Sequence, residues 1–189
     1  MPRSALGDGE PGSTGAPARP EASLLYLDQN YLSGIAKGKP GFRELEPILR
    51  ESVAAGVVSV PESAAHRVES APRPDLGLLE LLRELSGGLE LPTAEGPRER
   101  DCRRRLGRRL ARDFPERRAR RSDALDVLAL SSALPRCRLV TCDAFMADVI
   151  RRTGLHVRFR SELFTGRRAD VARLGAALEA RIVRAAVSR

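Results

Sequence analysis

Leu24-Leu25-Tyr26-Leu27-Asp28-Gln29-Asn30 is the segment that decides the fold. Four apolar residues followed at once by polar ones predict a short buried strand, of the kind found inside parallel sheets. Asp28 then lies at the carboxyl end of that strand, and Asn30 is predicted to cap a short helix that ends near Gly34–Gly38. The segment therefore predicts a buried parallel strand that places an acid at one edge of a sheet.

The rest of the chain alternates between strand-like and helix-like patterns. Val57–Val60 and Arg138–Thr141 predict two more buried strands, and Leu155–Phe159 alternates like an edge strand. Apolar residues at helical spacing predict helices at Arg43–Ala55, Glu62–Ser70, Asp75–Ser86, Asp123–Leu134, Asp143–Arg152 and Val171–Val187. This alternation implies right-handed crossovers. The predicted fold class is α/β, with a parallel sheet flanked by helices on both faces.

The chain of 189 residues is long enough for one domain with a sizeable core. Residues 1–21 are rich in Pro, Gly, Ser and Ala and predict a disordered tail, because little apolar surface is present to offset the ordering entropy. Residues 22–165 are predicted to form the α/β domain, with an Arg-rich helical segment at 98–121. Residues 166–189 are predicted to be a C-terminal helix.

The composition also bears on the cellular compartment of the chain and on whether it can hold a zinc ion. No apolar run approaches the roughly 20 residues of a membrane span, and the N-terminus lacks the layout of a secretory signal. The three cysteines, Cys102, Cys137 and Cys142, contain no Cys-x-x-Cys pair, and only His66 and His156 accompany them. This argues against a zinc site and favours reduced thiols. The sequence predicts a cytoplasmic protein that does not associate with membranes.

Positive charge is supplied almost entirely by arginine, and the formal net charge is +8. Guanidinium groups bind phosphate through two hydrogen bonds at once, so this composition favours a polyanionic partner such as nucleic acid. A GC-rich genome also produces Arg in place of Lys, and composition alone does not separate the two explanations. Residues 98–121 hold twelve arginines. Those in and near this segment that are expected to bind nucleic acid are Arg104, Arg105, Arg108, Arg117, Arg118 and Arg121.

Two acids follow predicted strands directly. Asp28 follows the first strand, and Asp143 follows the strand that ends at Thr141. An Asp at this position is a common turn or helix-cap residue, but two of them at the ends of buried strands in one sheet are harder to assign to capping alone. Parallel sheets bind ligands outside the carboxyl ends of their strands, so both acids are expected to line one crevice.

The helix after the second strand is expected to add one more acid. Glu62, His66 and Glu69 share one helical face because their spacings are four and three residues. Glu62 suits the first turn, where the helix dipole favours a carboxylate, so Glu69 is the better site candidate. His66 is expected to be an orienting or core histidine rather than a ligand.

A further pair of acids lies at i and i+3 in the next helix. Ser122 is predicted to cap this helix, and Asp123 would serve as its first-turn acid. Asp126 lies within an apolar run, where burial of a carboxylate costs free energy unless a cation or another partner compensates it. Oxygen ligands without His or Cys point to Mg²⁺ or Mn²⁺ rather than zinc.

Four short motifs, in this order, resemble those of PIN-domain ribonucleases. They are Leu27-Asp28-Gln29-Asn30, Glu69, Asp123-Ala124-Leu125 and Val140-Thr141-Cys142-Asp143. The resemblance covers about residues 24–160. It implies a PIN-like fold and a metal-dependent endoribonuclease acting on RNA, and many such proteins are toxins of bacterial toxin–antitoxin pairs. An antitoxin protein, or a second copy of the chain in a homodimer, would then be a partner.

The resemblance also implies roles for individual residues. The catalytic set would be Asp28, Glu69, Asp123, Asp126 and Asp143. Mg²⁺ or Mn²⁺ would be held by Asp28, Asp126 and Asp143, with support from Asn30, Glu62, His66 and Thr141. The sequence leaves open whether Glu62 or Glu69, and whether Asp123 or Asp126, is the true ligand. It also leaves two alternatives, a non-catalytic nucleic-acid-binding module and a protein-interaction module, each on a PIN-like scaffold.

Overall fold

The described part of the chain folds around four short parallel strands. The structure is a computed structural model that describes residues 22–72, 74–92, 95–116 and 121–187. Its strands are β1 (Ser23–Tyr26), β2 (Val58–Ser59), β3 (Leu139–Thr141) and β4 (Glu162–Phe164). They lie in the order β2-β1-β3-β4, and each neighbouring pair is parallel. The predicted α/β class with a parallel sheet is confirmed.

Helices connect the strands and cover both faces of the sheet. In the described ranges they are α1 (Gln29–Ala36), α2 (Phe42–Ala54), α3 (Ala64–Ser70), α4 (Leu78–Ser86), α5 (Pro97–Asp113), α6 (Arg121–Ala133), α7 (Ala144–Thr153), α8 (Leu155–Phe159) and α9 (Arg168–Val187). A 3-10 turn at Pro74–Leu76 precedes α4. None of these described helices is both long and apolar enough to cross a membrane.

The sheet separates two hydrophobic cores. Leu25 pairs with Leu139 and Tyr26 with Val140 across β1 and β3, and successive residues of a strand point to opposite faces. Leu25 and Leu139 belong to the core shared with α1, α2, α4 and α9. Tyr26 and Val140 belong to the core shared with α5, α6 and α7. The acid-bearing ends of β1 and β3 are therefore held between two packed layers.

The edge strand predicted at Leu155–Phe159 is wrong, because these residues form α8 and the edge strand is β4. Gly154, with a φ of +68°, ends α7 and turns the chain into α8. The apolar alternation also misleads about burial, since Leu155 is buried whereas Val157 is 70% exposed. Alternation over only five residues does not distinguish a strand from a single turn of helix.

Three predicted helix starts are also wrong. Helix α1 is capped by Asp28 rather than Asn30, and α3 begins after Ser63, which leaves Glu62 outside it. Helix α6 begins at Arg121, so Ser122 lies inside the helix instead of capping it. Arginine is a good helix former, and the helix therefore extends upstream of the serine. The predicted tail, residues 1–21, lies outside the described residues.

Candidate active site

A crevice lies at the point where the strand order reverses. Strand β1 has β2 on one side and β3 on the other, and ligands of parallel sheets bind beside such a point. A cavity of about 210 Å³ opens here, which we call the crevice. It brings together six of the predicted site residues: Asp28, Asn30, Glu69, Asp126, Thr141 and Asp143.

Asp28 is held in place from three sides. Its Oδ1 accepts hydrogen bonds from the Tyr31 backbone N–H and the Thr141 hydroxyl, both at 3.1 Å, and its Oδ2 accepts one from Asn30 Nδ2 at 3.3 Å. The backbone N–H of Asp28 donates to Thr141 Oγ1 at 2.6 Å. Burial raises the pKa of Asp28, these hydrogen bonds lower it, and the Asp143 carboxylate raises it slightly. The resulting pKa is about 6.

Asp143 repeats the local arrangement of Asp28 at the end of β3. It caps α7, accepting a hydrogen bond from the Met146 backbone N–H at 2.6 Å through Oδ1. Within the described part of the chain, Asp143 Oδ2 makes no hydrogen bond. Both strand-end aspartates therefore act as helix caps and also line the crevice, so capping does not exclude a role in a site.

Glu69 reaches the crevice from α3. It is partly buried, and no residue in the described ranges forms a hydrogen bond or ion pair with its carboxylate. Burial, and after it the negative charges of Asp126 and Asp28, raise the pKa of Glu69 to about 7. The same three acids act on Tyr26, which also lines the crevice, and together with burial they raise its pKa well above the usual value.

The two acids of α6 differ in their position relative to the crevice. Asp126 lines the crevice, whereas Asp123, one turn earlier in the first turn of the helix, is not among the lining residues. Asp126 is partly buried beside the apolar residues Ala129 and Leu130, which also line the crevice. Of the two alternatives that the sequence left open, the structure brings Asp126 to the other acids.

Glu62 lies away from the crevice. It precedes α3, is 8% exposed, and pairs with Arg67 at 2.7 Å. Its backbone forms a parallel bridge with Glu90, and Arg67 binds the Glu90 carboxylate as well. These contacts make Glu62 part of a structural ion pair, and Glu69 is the acid of this region that the fold brings to the crevice.

His66 joins the two segments that carry Asp28 and Glu69. Its side chain is fully buried, with Nε2 2.7 Å from the Leu27 carbonyl and Nδ1 accepting a hydrogen bond from the Ser63 N–H at 3.1 Å. Because a carbonyl only accepts, the proton of the neutral ring lies on Nε2. Burial lowers the pKa of His66 to about 4. The ring also stacks on Tyr26, with centroids 5.0 Å apart, as an orienting residue would.

Four residues with O, N or S side-chain atoms line the crevice but were not predicted as site residues: Tyr26, Gln29, Ser122 and Cys142. Gln29 and Cys142 are direct neighbours of Asp28 and Asp143, so their positions in the motifs were a usable signal. Tyr26 carries a polar hydroxyl within an otherwise apolar run, Leu24–Leu27, and that was a weaker signal. Cys142 is buried and free, as are the other two cysteines, which agrees with the expected reduced thiols.

The donor set of the crevice suits a hard cation, although its spacing is wide. Among the residues that the structure describes, no three His, Cys, Asp or Glu side chains converge closely enough to hold a metal ion. All the candidate ligands are carboxylates, which Mg²⁺ and Mn²⁺ prefer. The raised pKa values of Asp28 and Glu69 are the state expected for acids that share a site without a cation. The chemistry of the donors therefore fits such a metal.

The arginines predicted to bind nucleic acid lie only partly within the described residues. Arg104 and Arg105 project from α5, and both pair with Asp101. Arg108 is exposed on the same helix. Arg117 and Arg118 lie outside the described residues, and Arg121 is described only as the first residue of α6.

No family model, curated protein or solved structure matches this chain. The crevice and the four sequence motifs are therefore the basis for any function assigned to it.

Proposed function

We propose that this chain is a metal-dependent endoribonuclease with a PIN-like active site, hydrolysing RNA phosphodiester bonds. The observation that carries the proposal is that four separate segments each supply one carboxylate to the crevice: Asp28, Glu69, Asp126 and Asp143. This clustering opposes folding, because burial and mutual repulsion raise the pKa values of Asp28 and Glu69. Groups perturbed in this way are typical of functional sites.

The residues of the crevice have distinct parts in this chemistry. Mg²⁺ or Mn²⁺, held by Asp28, Asp126 and Asp143, would lower the pKa of a bound water and offset the charge of the attacked phosphate. Asp28 is already oriented by Thr141 and Asn30, so it requires little rearrangement to bind a cation. A carboxyl with a pKa of about 7, as on Glu69, can hold or accept a proton near neutral pH.

Two residues support the acids without belonging to the ligand set. Thr141 both accepts from the Asp28 N–H and donates to its carboxylate, which fixes the end of β1 against the end of β3. His66 fixes the end of β1 against the start of α3 through Leu27 and Ser63. Together these contacts set the relative positions of three of the four acid-bearing segments.

Incubation of the purified protein with mixed RNAs tests the proposal. We expect cleavage with Mn²⁺ and none in EDTA, and we expect Asp28→Asn to remove the cleavage. Asp148→Asn is the matched control, because Asp148 pairs with Arg152 on α7 and does not line the crevice. Cleavage that persists in EDTA, or an Asp28→Asn variant as active as wild type, would contradict the proposal.

A non-catalytic nucleic-acid-binding module is the second candidate. The wide spacing of the carboxylates favours it, since no three acids in the described residues converge on a metal position. Such a protein would bind RNA and leave it intact with or without Mn²⁺. The same incubation therefore separates the two functions.

The resemblance to PIN domains extends the proposal to a cellular setting. We place the chain in the cytoplasm as the toxin of a toxin–antitoxin pair, with an antitoxin or a second copy of itself as partner. Growth arrest on expression of the wild type, but not of Asp28→Asn, is the expected result. Equal growth with both proteins would contradict the toxin assignment.

A further inference from the structure

Three arginines form a stripe along one face of α5. Arg105, Arg108 and Arg112 are separated by three and four residues, which places them on the same helical face. All three are exposed, whereas Cys102 and Leu106 of the same helix are fully buried. The stripe therefore faces solvent along the C-terminal half of the helix.

One arginine from α7 and one from α8 lie beside this stripe and widen it. Arg152 of α7 binds Asp113 at 3.3 Å, and Arg158 of α8 binds Asp101 at 2.7 Å. Their side chains remain 45% and 49% exposed. We call the resulting surface the arginine seam, and its five members are Arg105, Arg108, Arg112, Arg152 and Arg158.

Two acids organise the seam without neutralising it. Asp101 pairs with Arg104, Arg105 and Arg158. Asp113 pairs in the same way with Arg109, Arg112 and Arg152. Each carboxylate is shared by three guanidinium groups, and every guanidinium has five N–H donors, so many donors remain for another anion. Arg108 makes no ion pair within the described residues.

The length of the seam and the aromatic rings at one of its ends are typical of a surface that binds a nucleic-acid strand. Asp101 and Asp113 lie twelve residues apart on one helix, which at 1.5 Å per residue is about 18 Å. At the far end, the half-buried rings of Phe114 and Phe145 meet edge to face, with centroids 5.0 Å apart. Phe145 is two residues beyond Asp143, so this end of the seam adjoins the crevice.

We infer that the arginine seam binds the backbone of single-stranded nucleic acid and leads it to the crevice, where Phe145 stacks on a base. The arginines of these pairs are exposed, and each guanidinium keeps N–H donors that the shared aspartate does not use, so phosphates can bind the paired arginines. Stacking on an aromatic ring requires an unpaired base, which favours a single strand over a duplex. The crevice itself is acidic and repels a phosphate backbone, so affinity must come from a neighbouring surface. The direction of the track rests on the proposed ribonuclease function, but binding to the seam does not.

Fluorescence anisotropy with a labelled oligouridylate of about 20 nucleotides, in EDTA, tests the seam. We expect Arg108→Gln/Arg112→Gln to bind about 10-fold more weakly and to lower the salt dependence by about 0.7 per arginine. The matched control is Arg50→Gln/Arg83→Gln, which removes two charges from α2 and α4 on the other face of the sheet. Arg108→Glu is a second seam variant, because it breaks no ion pair of the described residues.

A further variant tests the aromatic end of the track. We expect Phe145→Leu to weaken single-strand binding about 5-fold and to leave binding of a duplex of the same length unchanged. Equal weakening by the seam and control variants, or wild-type binding by Arg108→Glu, would overturn the inference. Binding to polyglutamate but not to oligouridylate would overturn it in favour of an acidic protein partner.

Because these assays contain no metal, they separate the seam from the ribonuclease. A chain that binds through the seam but cleaves no RNA supports the seam and contradicts the proposed function. A chain that cleaves RNA while its seam variants bind normally contradicts the seam alone.

Discussion

The crevice and the arginine seam adjoin each other, yet they handle charge in opposite ways. In the seam, Asp101 and Asp113 are each surrounded by three arginines. The crevice collects four carboxylates, and no basic side chain of the described residues lines it. The fold itself therefore compensates the charges of the seam, whereas burial and neighbouring acids raise the pKa values of Asp28 and Glu69 in the crevice.

The pKa values follow this difference. Burial raises the pKa of Asp101, but hydrogen bonds from Arg105 and Arg104 outweigh it and hold that pKa below its usual value. Burial also raises the pKa values of Asp28 and Glu69, and there the neighbouring acids add to the rise. Asp101 thus contributes to the fold, whereas the raised pKa values of Asp28 and Glu69 mean that burying these two acids together opposes it.

The largest expected effect is the loss of RNA cleavage on substitution of Asp126, the acid of α6 that lines the crevice. Asp126→Asn should lower metal-dependent RNA cleavage by about 100-fold or more, because it removes a charge from the proposed metal site. Asp123→Asn and Glu62→Gln should retain most activity, since neither residue lines the crevice. Single-turnover cleavage rates measure this. A stronger defect in Asp123→Asn than in Asp126→Asn would move the site to the first turn of the helix.

The next largest effect is a loss of stability on substitution of His66, the neutral side chain that supports the crevice. His66→Ala should destabilise the protein by about 3 kcal/mol, because the Leu27 carbonyl and the Ser63 N–H lose their buried partner and a cavity remains. Urea unfolding measures the change. Val68→Ala, on the exposed side of α3, is the control. A loss below about 1 kcal/mol would remove His66 from its supporting role.

The pH dependence of stability tests the combined effect of burial and neighbouring acids on Glu69. The folded pKa of Glu69, about 7, lies above its ordinary value of 4.5, so the folded protein binds more protons between these values. Rising pH therefore destabilises the metal-free protein across this window. Because Glu69 is partly exposed, the expected loss is on the order of 1 kcal/mol.

Glu69→Gln should remove that loss, so its stability in EDTA should exceed that of wild type at pH 8 and approach it at pH 4.5. Glu51→Gln, an exposed acid of α2, is the matched control. Urea unfolding at the two pH values gives the comparison. An identical pH profile for wild type and Glu69→Gln would show that burial and the neighbouring acids do not raise the pKa of Glu69 in the folded protein.

The smallest change tests the seam as the counterpart of the crevice. Asp101→Asn should slightly destabilise the protein, because it removes the acid that three arginines share. The same variant should bind single-stranded RNA more tightly, since the seam gains positive charge. Thermal melts and anisotropy measure the two effects. A higher stability of Asp101→Asn than of wild type would contradict the claim that the arginines of the seam compensate the charge of Asp101.

Sequence patterns predicted the parts of the site that depend on local order along the chain. A buried parallel strand is a continuous apolar run, so the places where β1 and β3 end, and with them Asp28 and Asp143, were visible in the sequence. Their convergence followed from the rule on the carboxyl ends of parallel strands. The sequence favoured Glu69 over Glu62 but left the choice open, and it placed Glu62 in the first turn of a helix that Ser63 in fact caps.

Other features depend on packing between distant segments. The seam forms because α5 packs close to α7 and α8, which brings Arg152 and Arg158 to acids 39 and 57 residues earlier in the chain. Helix α8 was mistaken for a strand because five alternating residues carry too little periodicity to decide between the two. The spacing of the crevice carboxylates likewise follows from tertiary packing, and no sequence rule gives it.

Thermal melts of wild type and Asp143→Asn, each in EDTA and in millimolar Mn²⁺, test most directly whether the crevice is a metal site. Asn caps a helix about as well as Asp, so the variant keeps the α7 cap and loses only the charge. In EDTA the variant should melt about 2–4 °C higher than wild type, because one repulsive charge is gone. Mn²⁺ should raise the melting temperature of wild type and leave that of the variant unchanged. A wild type that gains nothing from Mn²⁺, together with an Asp143→Asn variant that melts lower in EDTA, would show that Asp143 is only a helix cap.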